Sequence, residues 1–445
     1  MFTIAMRSVR QRPGRFLATL LSTFLGALVV MTFNANHDTA AAPGLDSISE
    51  ETLTISAGVV GGYGTLLVFF AIASTLTVNV RQRGEEIALL RRSGATPAQI
   101  KRMVVSEAVA VAVAGTLLAI GPAVIAGRQL LVLFKDTDQV AGNVDHVFGP
   151  IALSSGFAIT LIASVGAAFL AVRRATRAAA GGTRSRGRVK HVAGVAALLA
   201  GVGGILSTSA FEKTDPAMMA APGYGAILLA VGFSFLAPSL LSFLLGVLAR
   251  PFTALTGASG YLTVHNMRRR ASQLSAVLMP LILFIGIACA TLYMQAIGTD
   301  AVAASGISPT GEDKSVETLN FVVVGIVVLF SCIMLVNSLY AATTYRTREF
   351  GQQRLAGATS GQILGMIGLE SVILTVTGVF FATVAAIAGI VPYSIARTGT
   401  TVPDQDLGIW LLVVGIGAAA TIVTSVGTAY RGLRTPAVEA VTLAA

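Results

Sequence analysis

The chain has 445 residues, of which 54% are hydrophobic and only 12% charged, with a mean hydropathy of +0.78 and a formal charge of +10. A soluble domain carries roughly 25% charged residues. A water-soluble protein this apolar would expose patches it could not cover. Composition therefore excludes a disordered chain, a disulfide scaffold and a soluble enzyme, and it points to an all-α integral membrane protein.

Ten apolar blocks follow in chain order: about 16–33, 53–79, 103–127, 151–172, 192–208, 222–249, 274–297, 318–343, 363–394 and 407–429. A helix crosses a hydrocarbon core of about 30 Å with about 20 residues, and in lipid the backbone must satisfy its own hydrogen bonds. The charged front Arg7 to Arg15 resembles that of a signal peptide. The block behind it is long and more spans follow, so an uncleaved first span is expected. Cys289 and Cys332 lie inside apolar blocks and are expected to be small core residues.

Charge sets the expected sidedness. With the N-terminus in the cytoplasm, 26 of the 31 basic residues fall on inner segments and 15 of the 21 acids on outer ones. Positive charge gathers on the inner face, so an even number of spans with both termini inside is expected. The positive charge follows the spans, so it reports topology and gives no reason to expect nucleic acid. The outer segments 34–52, 128–150 and 298–317 are about 20 residues each, too short for an independent domain.

An internal repeat carries the functional argument. At a fixed offset of 263 residues, Arg83, Glu86, Arg91, Gly94, Ala95, Thr96, Gln99, Ile100, Met103 and Glu107 meet Arg346, Glu349, Arg354, Gly357, Ala358, Thr359, Gln362, Ile363, Met366 and Glu370. More weakly, Arg10 and Arg12 before the first span resemble Arg268 and Arg270 before the seventh. The chain reads as a tandem duplication in a 4+2+4 plan. Residues 1–175 and 256–445 are the expected repeats; 176–255 holds a basic linker and two extra spans. Both copies share one orientation, because two extra spans preserve parity.

Each copy predicts a short cytoplasmic helix, a tight reversal and a fresh helix entering the membrane. Gly94 and Gly357 suit the position after a helix, where a positive φ costs little without a Cβ. Thr96 with Gln99, and Thr359 with Gln362, fit capping boxes, and Pro97 suits the first helical position. Glu107 and Glu370 are the carboxylates that enter spans. They read either as interfacial groups paired with an arginine or as members of a relay, since charge in the bilayer is costly.

Other signals are negative. No G-x-x-x-x-G-K-[ST] occurs, and Gly61-Gly62-Tyr63-Gly64 lacks the lysine. The four histidines are scattered and form no motif with the cysteines. The chain shows no catalytic constellation, so it is expected not to be an enzyme by itself and to hold no cofactor or metal. The basic run Arg173–Lys190 is expected to be a linker that meets anionic lipid headgroups.

The segment RGEEIALLRRSGATPAQI at 83–100 resembles the signature of FtsX-like permeases of the MacB-type ABC transporter fold. TREFGQQRLAGATSGQI at 347–363 is a looser match, with Phe350 and Gly351 in place of Ile87 and Ala88. The terminal Thr435-Pro436-Ala437-Val438-Glu439-Ala440 is also similar to the end of such a domain. The ten-span plan is similar to permeases of the bacitracin-resistance type, except that residues 298–317 stand where those carry a large extracytoplasmic domain. The resemblance implies a multi-pass permease of the bacterial cytoplasmic membrane. It implies that two coupling helices dock on a separate ABC ATPase, present in two copies, which binds the ATP and Mg. The docking residues would be Glu85, Glu86, Ile87, Leu90, Arg91, Gly94, Glu349, Phe350, Arg354 and Gly357. The substrate would be amphiphilic, lipid-like or antibiotic-type. The alternative is a non-transporting scaffold that controls a cell-wall hydrolase or a sensor kinase.

Overall fold

A computed structural model of the chain describes residues 13–82, 89–137, 139–178, 185–210, 219–304 and 346–442, with 321, 324–325, 332, 335–336 and 339. No strand occurs among them. The helices are α1 (Pro13–Ala40), α2 (Ser47–Gln82), α3 (Pro97–Asp136), α4 (Pro150–Ala178), α5 (Ser185–Leu206), α6 (Ala220–Arg269), α7 (Ala271–Ala304), α8 (Thr347–Leu355), α9 (Ser360–Thr398), α10 (Gly408–Leu433) and α11 (Ala437–Thr442).

Among the described residues seven stretches are long and apolar enough to cross a membrane: Thr19–Ala40, Pro97–Asp136, Pro150–Val172, Ala221–Val247, Val277–Ala304, Ser360–Thr398 and Gly408–Leu433. Each overlaps one of the ten apolar blocks. The block at 53–79 lies inside the 36-residue α2. The block at 192–208 corresponds to the shorter apolar stretch His191–Leu206. The block at 318–343 lies mostly outside the described residues.

The helices overrun the apolar blocks. α3 has 40 residues against a predicted 25, so at 1.5 Å per residue it is about 60 Å long. Hydropathy reports the thickness of the bilayer, whereas a helix continues until its caps stop it. α3 begins at the Thr96 cap and ends at Thr137, whose N–H donates to the carbonyls of Leu133 and Lys135.

The described helices form two compact units, α1–α4 and α5–α11. In the first, α1 packs against α2, α3 and α4. Hydroxyls tie the bundle together where no water competes: Ser22 Oγ lies 2.9 Å from Thr75 Oγ1, Thr116 Oγ1 lies 2.9 Å from Thr160 Oγ1, and Asn36 Nδ2 donates to Ser56 Oγ at 3.0 Å. Such interhelical bonds contribute about 1 kcal/mol each in lipid. Of the predicted outer segment 128–150, residues 128–136 belong to α3, and the stretch leading into α4 is tied to α1. Asp38, at the end of α1, accepts N–H bonds from Gly149, Ile151 and Ala152.

In the second unit α7 is buried along most of its length and contacts α6, α9 and α10. The two helices that the sequence sets apart as extra, α5 and α6, pack here. Their contact is backbone to backbone: a Cβ on Gly201 would lie 2.9 Å from the Gly225 carbonyl oxygen. Two small residues facing each other allow that approach.

Candidate functional site

The repeated segment folds into the same reversal in both halves. In the first, residues 89–92 are helical and Gly94 has φ +94°. The Gly94 N–H donates to the Arg91 carbonyl at 3.1 Å, and the Ala95 N–H to the Leu90 carbonyl at 2.9 Å. In the second, Gly357 has φ +98°, its N–H donates to the Arg354 carbonyl at 3.0 Å, and the Ala358 N–H donates to the Gln353 carbonyl at 2.9 Å. The paired bonds define a Schellman motif, which satisfies carbonyls a helix end leaves open.

The next helix starts at once. The Gln99 N–H donates to Thr96 Oγ1 at 3.3 Å, and the Thr96 N–H donates to Gln99 Oε1 at 2.9 Å. Thr359 and Gln362 repeat this at 3.2 and 2.9 Å. The cap dihedrals are −71°, 152° and −78°, 154°. Both reversals are therefore matched bond for bond. Each turns the chain within four residues from a surface helix into a helix of about 40.

The second half describes how the short helix is held. α8 has nine residues, too few to be stable alone. Phe350 is 1% exposed and packs with Ile363, Ile367, Ala429 and Leu433. The ring proposed as a docking contact is enclosed by α9 and α10 in this structure. Phe350 anchors the helix. Arg354 also turns inward, its Nη1 donating to the carbonyls of Leu433 and Thr435 at 3.0 and 2.8 Å.

Charge holds the other end. Arg346, the N-cap of α8, forms a bidentate pair with Glu370 of α9, Nη1 donating to Oε2 and Nη2 to Oε1, the latter at 3.1 Å. Its Nε donates to Glu349 Oε2 at 3.3 Å, and Glu349 meets Arg270 at 2.7 Å. The Arg346 and Glu370 side chains are 12% and 8% exposed. Burial works to lower the Arg346 pKa, but the carboxylates of Glu370 and Glu349 more than reverse that and hold it above its ordinary value. Glu370, one of the two span carboxylates, is paired with Arg346 in this structure. Glu107, its counterpart, is also buried. Glu349 is half-buried in this network.

The outward surface includes Leu90, Arg91, Gly94 and Gly357 of the expected docking set. In the first half Leu89, Leu90, Arg91 and Gly94 are exposed, with Leu89 at 63%. Glu85, Glu86 and Ile87 lie outside the described residues. In the second half Gln352, Leu355 and Gly357 face out, with Leu355 at 59%. Leu89, Leu355, Arg270 and Arg346 were not singled out as site residues by sequence. Arg346 had left a signal, its identity with Arg83 in the repeat. Among the described residues no three His, Cys, Asp or Glu side chains gather as metal ligands would.

The model of the FtsX-like permease C-terminal domain matches twice, at residues 58–180 and 321–437, together more than half of the chain. The chain belongs to the FtsX-like permease family. Each match contains one copy of the repeated reversal, so the duplication is a duplication of this domain. The chain is a multi-pass membrane protein. A 129-residue stretch is 27% identical to the pyoverdine export ATP-binding/permease protein PvdT of Pseudomonas fluorescens Pf0-1. It is 28% identical to the protein of the same name in strain Pf-5. That stretch is 29% of this chain and covers only 18% of each relative.

Proposed function

We propose that the chain is the membrane-spanning subunit of an ABC exporter in the bacterial cytoplasmic membrane, driven by a separate cytoplasmic ATPase that binds the ATP and Mg. The carrying observation is the pair of reversals, equal in every backbone bond around the turn. A part built twice to one pattern suits a partner present in two copies. Two relatives named as export ATP-binding/permease proteins favour the same reading.

Each surface helix is the docking element. Leu89 and Leu355 offer an apolar contact on the exposed side, with Arg91 and Arg92 beside the first. ATP-driven closure of the two partner subunits pushes both helices. Each reversal passes the push into a long helix, α3 or α9, and the membrane bundle changes shape. The cargo is an amphiphilic or lipid-like compound, because the short outer segments leave no room for an extracytoplasmic receptor domain.

The test is Leu89→Asp combined with Leu355→Asp in the full chain, produced with its candidate ATPase. The expected result is loss of co-purification and of permease-dependent ATP hydrolysis. Undiminished binding contradicts the docking assignment. Uptake of a labelled amphiphile into inside-out vesicles, dependent on ATP, tests the transport step.

A further inference from the structure

The coupling helix is fastened at both ends, and the two fastenings differ. At its C-terminal end the Gly357 reversal is itself a pivot, a single residue at φ +98° between two helices. Arg354 holds that region against the end of α10, and Phe350, in the N-terminal half of the helix, packs against α9 and α10. At its N-terminal end, beside Phe350, the attachment is also ionic: Arg346 to Glu370 on α9, and Glu349 to Arg270 at the junction of α6 and α7.

The lengths agree with a closed hairpin. From Leu355 back to Arg346 is about 14 Å of helix, and from Ser360 forward to Glu370 is about 15 Å. Two arms of equal length meet at Gly357, and the Arg346–Glu370 pair closes their far ends. A hairpin closed at one end only could absorb a push by opening. Closed at both ends, it moves as one piece.

We infer that Arg346 is a positioning residue that locks the coupling helix to α9 through Glu370, so that a push on α8 is delivered into the membrane helix instead of opening the turn. This rests on the docking role proposed above for α8, but the joint itself can be tested without it. The pair suits the task because it is buried: removing Arg346 strips the Glu370 carboxylate of this partner in a site with little water, while removing Glu370 leaves Arg346 held by Glu349 alone. The guanidinium presents a planar fork that holds direction as well as distance, which an ammonium does not. Arg270 carries the same joint, through Glu349, to the base of α7.

The test uses the full chain in lipid nanodiscs with Arg346→Gln, Glu370→Gln, Arg346→Lys and the charge-swapped double variant Arg346→Glu/Glu370→Arg. Amide hydrogen exchange over 347–358 is expected to rise by about tenfold or more in both glutamine variants. Exchange in α3 is expected to stay unchanged. The lysine variant should remain fast, and the charge swap should slow exchange only part of the way back, because a carboxylate at position 346 also faces Glu349. Unchanged exchange over 347–358 overturns the joint, as does an equal rise in every helix, which marks general loosening. If the glutamine variants do not fold, the lysine and swapped chains carry the same comparison.

With the ATPase present, the glutamine variants should keep binding and hydrolysis but lose at least tenfold of transport per ATP. Wild-type coupling in those variants also overturns the inference. A wild-type chain that recruits no ATPase refutes the functional reading alone, and the exchange comparison then still decides the joint.

Discussion

Phe350 shows how one side chain can seat a short helix. Its ring fills the contact between α8, α9 and α10. Phe350→Ala should cost roughly 3–5 kcal/mol of local stability through lost burial and the cavity left behind. Phe350→Leu should cost under about 1.5 kcal/mol. Hydrogen exchange over 347–358 measures both. Slow exchange in the alanine variant together with lost ATPase binding would return Phe350 to the docking surface. The sequence held a clue to its burial, since Ile87 and Phe350 are apolar at matched positions among charged neighbours. A nine-residue helix that is mostly polar gives too short a pattern to say which face turns inward.

At the scale of the element, local chemistry was readable and long-range chemistry was not. A capping box depends on residues three apart and a Schellman motif on residues five apart. Gly94, Thr96 and Gln99 therefore announce the reversal wherever the rest of the chain goes, and Gly357, Thr359 and Gln362 do the same. The ionic joint links Arg346 to a residue 24 positions on, and Glu349 to one 79 positions back. No spacing rule selects Arg346 or Arg270 among 26 arginines. The C-terminal ends of α3 and α9 were equally hidden, because both helices run past the apolar blocks that announced them. The caps make a direct prediction. Thr96→Ala and Thr359→Ala should each cost about 1 kcal/mol. Faster exchange of the amides of residues 97–100 and 360–363 is the expected result. Equal effects in both halves follow from equal geometry, and an effect in only one would show that the two turns carry different loads.

For the whole molecule, the duplication matters more than any single span. Charge alternation along the sequence predicts that both repeats run in one direction, and the matched reversals give each half the same part. A partner that works on both must find them on one face of the membrane. Substituted-cysteine labelling tests this, with Ser93→Cys and Ala356→Cys placed separately in a chain whose Cys289 and Cys332 are replaced by alanine. An impermeant thiol reagent should label both positions in inside-out vesicles and neither in right-side-out vesicles. Labelling of the two from opposite sides would contradict a permease worked at two equivalent points from the cytoplasm.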